Sequence, residues 1–321
     1  MLIVSKFVPP TTDIDWLKWL IICCFLFVAI ASPSEASEQD NYQSDTSYES
    51  NTDYSSEIDF QSDPNSPIVK DDFDWQVLMD LSVGYDQVLL DGVKQTELLH
   101  YFKPALLIDI SYKGFFLQTN QRRSAALLLG AEFGYQLFVK ENWQVDIIAK
   151  AYMPGYDPAN LIEYQDADEK LYSGLKERDA TLGVALRYSR YFDNAIFTID
   201  VANAYADDDA KGLIVDSFYS YLLPYRNWDI YLGAGLTYYD QTLVDYYIGI
   251  NPDEVTENRS LYTANSGFRA QLEVYAQYPL SASWSFNAGI TQSFYNDEIK
   301  DSPIVDKNKL TQVMLGVLYV F

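Results

Sequence analysis

The chain has 321 residues, with 22 Lys and Arg against 46 Asp and Glu, a formal net charge of −24. So acidic a surface excludes nucleic acid as a partner, because phosphate binding needs a basic face. Two cysteines, Cys23 and Cys24, and one histidine, His100, exclude a His-based metal cluster and confine His-dependent catalysis to a single position.

Residues 20–31 form an uninterrupted apolar run preceded by Lys6 and Lys18. This run is too short for the ~20 residues of a spanning helix and fits the apolar region of a secretory signal. Ser34 and Ala36 put small residues where signal peptidase reads. Residues 1–36 therefore read as a signal peptide cleaved between Ala36 and Ser37, which removes both thiols; an uncleaved anchor is the alternative.

Residues 37–72 carry ten acids, one lysine (Lys70) and many Ser, Asn and Gln. Such a segment cannot offset its ordering entropy by burial, so a disordered acidic periplasmic tail is expected. Tyr42, Tyr48, Tyr54 and Phe60 recur every six residues within it, as a low-complexity spacer or a partner-binding strip of aromatics.

From Trp75 onward a period of two dominates. Trp75, Val77, Met79, Leu81, Val83 and Tyr85 share one face; Gln76, Asp80, Ser82, Gly84 and Asp86 share the other. The alternation returns from Leu106, Leu127, Trp143, Ala180, Phe197, Trp228, Phe268 and Trp284, with weaker strands at 115–119 and 213–223. A final strand carries Val317, Tyr319 and the terminal Phe321, aromatics spaced two apart like the C-terminal assembly signal of bacterial outer-membrane barrels. The count is twelve, and even, as for bacterial single-chain barrels. Joints of two to five residues alternate with mostly longer ones at 87–103, 121–125, 153–178, 206–211, 240–266 and 295–309. The reading is all-β: a transmembrane antiparallel up-and-down barrel over residues 73–321, with short periplasmic turns and long extracellular loops, in the outer membrane of a Gram-negative bacterium. Trp143, Trp228 and Trp284 each open a strand after a short turn and are expected in an interfacial girdle.

The inward face carries Asp80, Asp109, Glu132, Asp146, Asp200, Asp216, Asp229 and Glu273 against Lys150, Arg187 and Arg269. Two readings stand: bases paired with neighbouring carboxylates in a hydrogen-bonded plug, or a narrow cation-preferring pore. A barrel hydrolase is a minor third. His100 in the first outer loop could meet Asp86, Asp91 or residues 207–209, but no strand contains a His. No cofactor is implied. The acidic stretches 166–169 and 207–209 lack EF-hand spacing and could at most bridge to lipopolysaccharide phosphates through divalent cations.

Several strings resemble the MltA-interacting protein / OmpV family. They are Leu175-Lys176-Glu177-Arg178-Asp179, Ala210-Lys211-Gly212, Tyr246-Tyr247-Ile248-Gly249-Ile250 with Glu254 soon after, and Asp301-Ser302-Pro303-Ile304-Val305. The resemblance spans roughly 75–321. It implies a non-enzymatic outer-membrane protein, surrounded by membrane lipid and lipopolysaccharide, that acts as a scaffold for a periplasmic murein hydrolase and synthase.

Overall fold

The computed structural model describes residues 73–93, 101–119, 130–207 and 210–321. Ala36, Ser37, the signal and tail readings, His100, and positions 208 and 209 lie outside the described residues. Twelve strands follow in chain order: β1 (Asp74–Asp86), β2 (Phe102–Tyr112), β3 (Phe115–Thr119), β4 (Ala131–Lys140), β5 (Trp143–Met153) and β6 (Thr181–Phe192). Then come β7 (Ala195–Asp207), β8 (Ala210–Tyr225), β9 (Trp228–Tyr239), β10 (Gly267–Pro279), β11 (Trp284–Tyr295) and β12 (Lys309–Val320). Each pairs antiparallel with its sequence neighbours, and β1 pairs with β12, closing the sheet into a barrel.

Alternation of side chains decides which face meets which solvent. On β6, Leu182, Val184 and Leu186 are about half exposed (48%, 55% and 52%), whereas Gly183, Ala185 and Arg187 between them are buried. A row of exposed aliphatics around a closed wall matches lipid, where apolar surface costs nothing to expose. No helix among the described residues is long and apolar enough to cross a membrane; the strands make the crossing.

The periplasmic rim is built from tight turns. At Lys113-Gly114 both residues have positive φ, 50° and 83°, the two-residue hairpin geometry whose twist matches the flanking strands. Gly114 is suited to it because a side chain there would be strained. One departure from expectation at the outer rim lies between β7 and β8. A six-residue joint at 206–211 was expected, but β7 runs to Asp207 and β8 starts at Ala210. A register shift between Tyr205 and Asp207 absorbs the missing residues into the ladder.

The seam between β1 and β12 is tightly packed at Gly316. Gly316 opposes Ser82, and a Cβ there would lie 2.5 Å from Ser82 Cβ and 2.7 Å from Leu81 O. Neither atom can swing away, since one is main chain and the other sits directly on it. Gly316→Val is expected to destabilise the closed barrel by about 1–3 kcal/mol through overpacking. Heat-modified gel mobility of refolded protein checks this: the mobility transition should fall in temperature, while outward Leu315→Val stays near wild type.

Candidate functional site

The interior contains two kinds of packing. Midway along the barrel, Arg187 on β6 donates to Glu132 on β4, with Nη2–Oε2 at 2.9 Å, and to Asp200 on β7, with Nε–Oδ1 at 2.7 Å. Lys150 on β5 donates to the same Asp200 at 2.6 Å and lies 3.7 Å from Asp216 on β8. Gln118 Nε2 donates to Glu132 at 2.5 Å; Thr237 Oγ1 donates to Asp216 at 2.7 Å; Arg269 Nη2 donates to Thr237 Oγ1 at 3.1 Å. The chain of contacts thus runs from β3 to β10. Two strongly bound cations sit among three carboxylates, so each charge removed from water has an opposite charge in reach.

Of the other inward acids, Asp146 stands opposite Arg187 in the ladder between β5 and β6. Asp146 accepts from Gln144 Nε2 at 2.7 Å, and Asp80 accepts from Asn287 Nδ2 at 2.6 Å across the terminal strand. Asp109 stands opposite Gln76 and Gln118, Asp229 is half-buried near the start of β9, and Glu273 is buried opposite Thr291. Trp143, Trp228 and Trp284 open β5, β9 and β11, and their rings meet Tyr188, Tyr278 and Tyr319 respectively. Val317 lies between Leu81 and Phe286, and the Phe321 ring meets Tyr319 edge-on at 4.9 Å. Among the described residues no three His, Cys, Asp or Glu side chains group as metal ligands.

Above the charged layer the outer joints fold into the barrel mouth. Among the described residues they contain four helices: α1 (Pro158–Gln165), α2 (Glu169–Tyr172), α3 (Gln241–Ile248) and α4 (Asp297–Lys300). Asp157 caps α1, with Pro158 in its first turn, and Asp240 caps α3 by accepting from Thr242 N. Leu161, Leu171, Tyr172, Leu243, Val244, Tyr247, Ile248 and Ile299 are buried in one cluster with Ala202, Ala204, Ile214 and Tyr239, inward residues of the wall. The segment 87–93 joins them through a bridge between Leu90 and Val305 and through Asp91 N donating to Ile304 O at 2.9 Å. These segments form a plug with an apolar core seated against the inner wall.

A buried ionic knot ties the plug together. Glu254 is 1% exposed and accepts from Lys176 N at 2.9 Å, Asn251 N at 3.0 Å, Asn251 Nδ2 at 3.1 Å and both ways from Arg178 Nη2 at 2.9 and 3.1 Å. Arg259, fully buried, donates to the carbonyls of Glu254 (2.8 Å from Nε), Ser173 (3.3 Å) and Leu171. Burial pushes the Glu254 carboxyl upward, but the Lys176 and Asn251 N–H groups and the Arg178 guanidinium outweigh it and hold it below its ordinary value. Burial raises Tyr156, and pushes Tyr247 up to about 12. Both remain neutral donors: Tyr156 to Tyr247 O, and Tyr247 to Asp179 O, each at 2.6 Å. Ser302 Oγ donates to Ile248 O at 2.6 Å.

None of these plug residues was assigned a role by periodicity, because the outer joints read as loops. The available signals were Asp157-Pro158 and Asp240 as helix starts, and the spacing of Leu243, Val244, Tyr247 and Ile248 on one face of α3.

A family model for the MltA-interacting protein MipA matches residues 80–321. The putative outer membrane protein YiaT of Escherichia coli O157:H7 is 26% identical over 66% of this chain and 80% of its own length. The MltA-interacting protein of Escherichia coli K12 is 23% identical over 49% of this chain and 63% of its own, so the alignment spans less than two thirds of that relative. Outer membrane protein OmpV of Vibrio cholerae is 24% identical over 50% of this chain and 62% of its own. Among solved structures, a NanC porin aligns with a TM-score of 0.35 and 9% identity, over 75% of this chain and 98% of that one.

Two outcomes follow from the interior. Arg187→Ala leaves Glu132 and Asp200 without their shared cation, and should cost about 3–5 kcal/mol, lowering the temperature of the heat-modified gel shift. Adding Glu132→Gln and Asp200→Asn to it should recover most of that loss. The second concerns pH. Glu254 ionises more readily folded than unfolded, so its contribution is full above the ordinary glutamate value and is lost as pH falls through its depressed folded value. The charged and phenolic groups around it are Arg178, Lys176, Asp253, Arg259, Tyr156 and Tyr246. Limited proteolysis between residues 154 and 266 should stay slow until the medium is more acidic than the ordinary carboxylate range, then quicken.

Proposed function

The chain belongs to the MltA-interacting protein MipA family of outer-membrane barrels, and from that premise we propose that it serves as a non-enzymatic scaffold for periplasmic murein-synthesising and murein-cleaving enzymes. The observation that carries this reading is the filled interior. A barrel whose inner cations are bound to carboxylates and whose outer mouth holds a folded plug offers a substrate little passage, which turns attention to its periplasmic face. A relative named for its interaction with MltA supports a murein enzyme as the partner class.

Residues 37–72, with ten acids and one lysine, are the proposed docking element. Their charge would steer a basic periplasmic partner, and such steering weakens as salt rises. The narrow cation-preferring pore is the competing reading, and the acidic count of the inward face is what favours it.

Co-purification from detergent-solubilised envelopes tests the scaffold. The full chain should retain murein enzymes at low salt and release them at high salt, and a chain lacking residues 37–72 should retain few. Equal recovery without that segment removes it as the docking element. Recording planar-bilayer currents from the same sample separates the pore: steady cation-selective openings at neutral pH would replace the scaffold reading with it.

A further inference from the structure

We propose that the plug is a displaceable gate latched by Glu254, and that releasing the latch opens the inner wall around Ala204 to the outside. The argument starts from where the plug's polar bonds are concentrated. One carboxylate holds Lys176 N and Arg178 from the joint after β5, and Asn251 from the joint after β9. Arg259 draws on the same point, since its Nε and Nη2 both donate to the Glu254 carbonyl, at 2.8 and 2.6 Å, while Nη1 and Nη2 reach Leu171 O and Ser173 O. Removing the Glu254 carboxylate takes the acceptor from Lys176 N, Arg178 and Asn251 at once, while the Arg259 bonds, made to the main-chain carbonyl, remain. It also leaves the Arg178 guanidinium, 4% exposed, as a buried charge whose Nε has no partner even in the latched state. An unpaired buried cation is costly enough to favour any arrangement that returns it to water.

The seat of the plug is of a different kind. It is smooth and apolar: Ala202, Ala204 and Ile214 face it, and at Gly267 an added Cβ would lie 2.7 Å from Ile299 Cδ1 and 3.0 Å from Val244 Cγ2. Apolar contact against small residues is non-directional, so it resists separation but does not fix a register. Beneath lies the layer of Lys150, Arg187, Asp200 and Asp216, groups that gain hydration once water reaches them. Directional bonds are concentrated on Glu254, whereas those to the wall are scattered along its rim, as from Asp240 N to Leu213 O at 3.0 Å, between Thr181 Oγ1 and Tyr247 Oη at 2.6 Å, and from Asn296 N to Phe268 O at 3.2 Å. Loss of the carboxylate leaves Arg259, Tyr156, Tyr246 and Tyr247 as the remaining ties between the two joints, a weaker closure over a seat that fixes no register. The same geometry explains why Glu254 needs four donor groups although a single ion pair would neutralise it: saturation makes the closed state the default. This inference does not depend on the scaffold reading, since it concerns the outer mouth and is measured without any partner.

Thiol accessibility on intact cells provides the test. In a full chain carrying Cys23→Ser and Cys24→Ser, Ala204→Cys reports on the wall beneath the plug, and Ser260→Cys, exposed on the plug, reports on expression. With Glu254 intact, a membrane-impermeant maleimide should label position 260 readily and position 204 at least tenfold more slowly. Adding Glu254→Ala should raise the rate at 204 at least tenfold and leave 260 unchanged, with heat-modified mobility confirming a folded barrel. Rapid labelling at 204 in the presence of Glu254 would overturn the gate, as would a folded Glu254→Ala barrel with no acceleration. Should that variant fail to fold, Arg178→Met, which removes the charge pair but keeps the backbone donors, is read by the same two rates and the same criteria.

Discussion

Hydrocarbon offers no partner to a peptide N–H or C=O, so a sheet that enters it cannot keep a free edge. The pairing of β1 with β12 answers that constraint, and the rest of the molecule follows from it. Leu78 to Asp86 lie opposite Val320 to Gln312 in unbroken register, and the terminal residue still donates from Phe321 N to Val77 O at 3.4 Å. Because the wall is closed, alternate side chains must face either lipid or a narrow interior. The outward set is aliphatic and aromatic along its length, and the inward set holds the carboxylates, amides and hydroxyls.

Closure creates the second problem, which is how to fill a cylinder lined with polar groups. Two solutions are stacked. In the middle, Arg187 and Lys150 are surrounded by Glu132, Asp200 and Asp216, a layer held by charge. At the outer mouth, side chains such as Leu243, Ile248, Ile299 and Ile304 make an apolar core of the sort found in water-soluble domains. The protein is thus inside-out along its membrane span and conventionally packed at its outer end. Buried ion pairs resist disruption more than they add stability, so the charged layer favours a single arrangement of the wall more than it strengthens it.

The barrel was legible in the sequence because a period of two is imposed by strand geometry and by two unlike solvents. Strand number and order could be read from alternation and turn spacing. Pairings could not, since which carboxylate meets Arg187 depends on register and tilt across four strands. The plug was hidden for another reason: its helices run four to eight residues, too short for a helical period to rise above loop composition. Three of the four strings that carry the family resemblance are nevertheless its parts, the fourth, Ala210-Lys211-Gly212, opening β8. Arg178 meets Glu254, Tyr247 bonds Asp179, and Ser302 bonds Ile248. The six-residue reading at 206–211 failed because acidic composition suggested a loop where backbone pairing continues to Asp207.

Everything rests on alternate residues of a closed wall meeting lipid and interior in turn. Nitroxide labels placed singly from Gln312 to Leu318 in the reconstituted barrel, read by their collision rate with dissolved oxygen, test this most directly. High rates at Val313, Leu315 and Val317 and low rates at Gln312, Met314, Gly316 and Leu318 are the predicted result. A flat profile, or one with the two sets exchanged, would contradict the account.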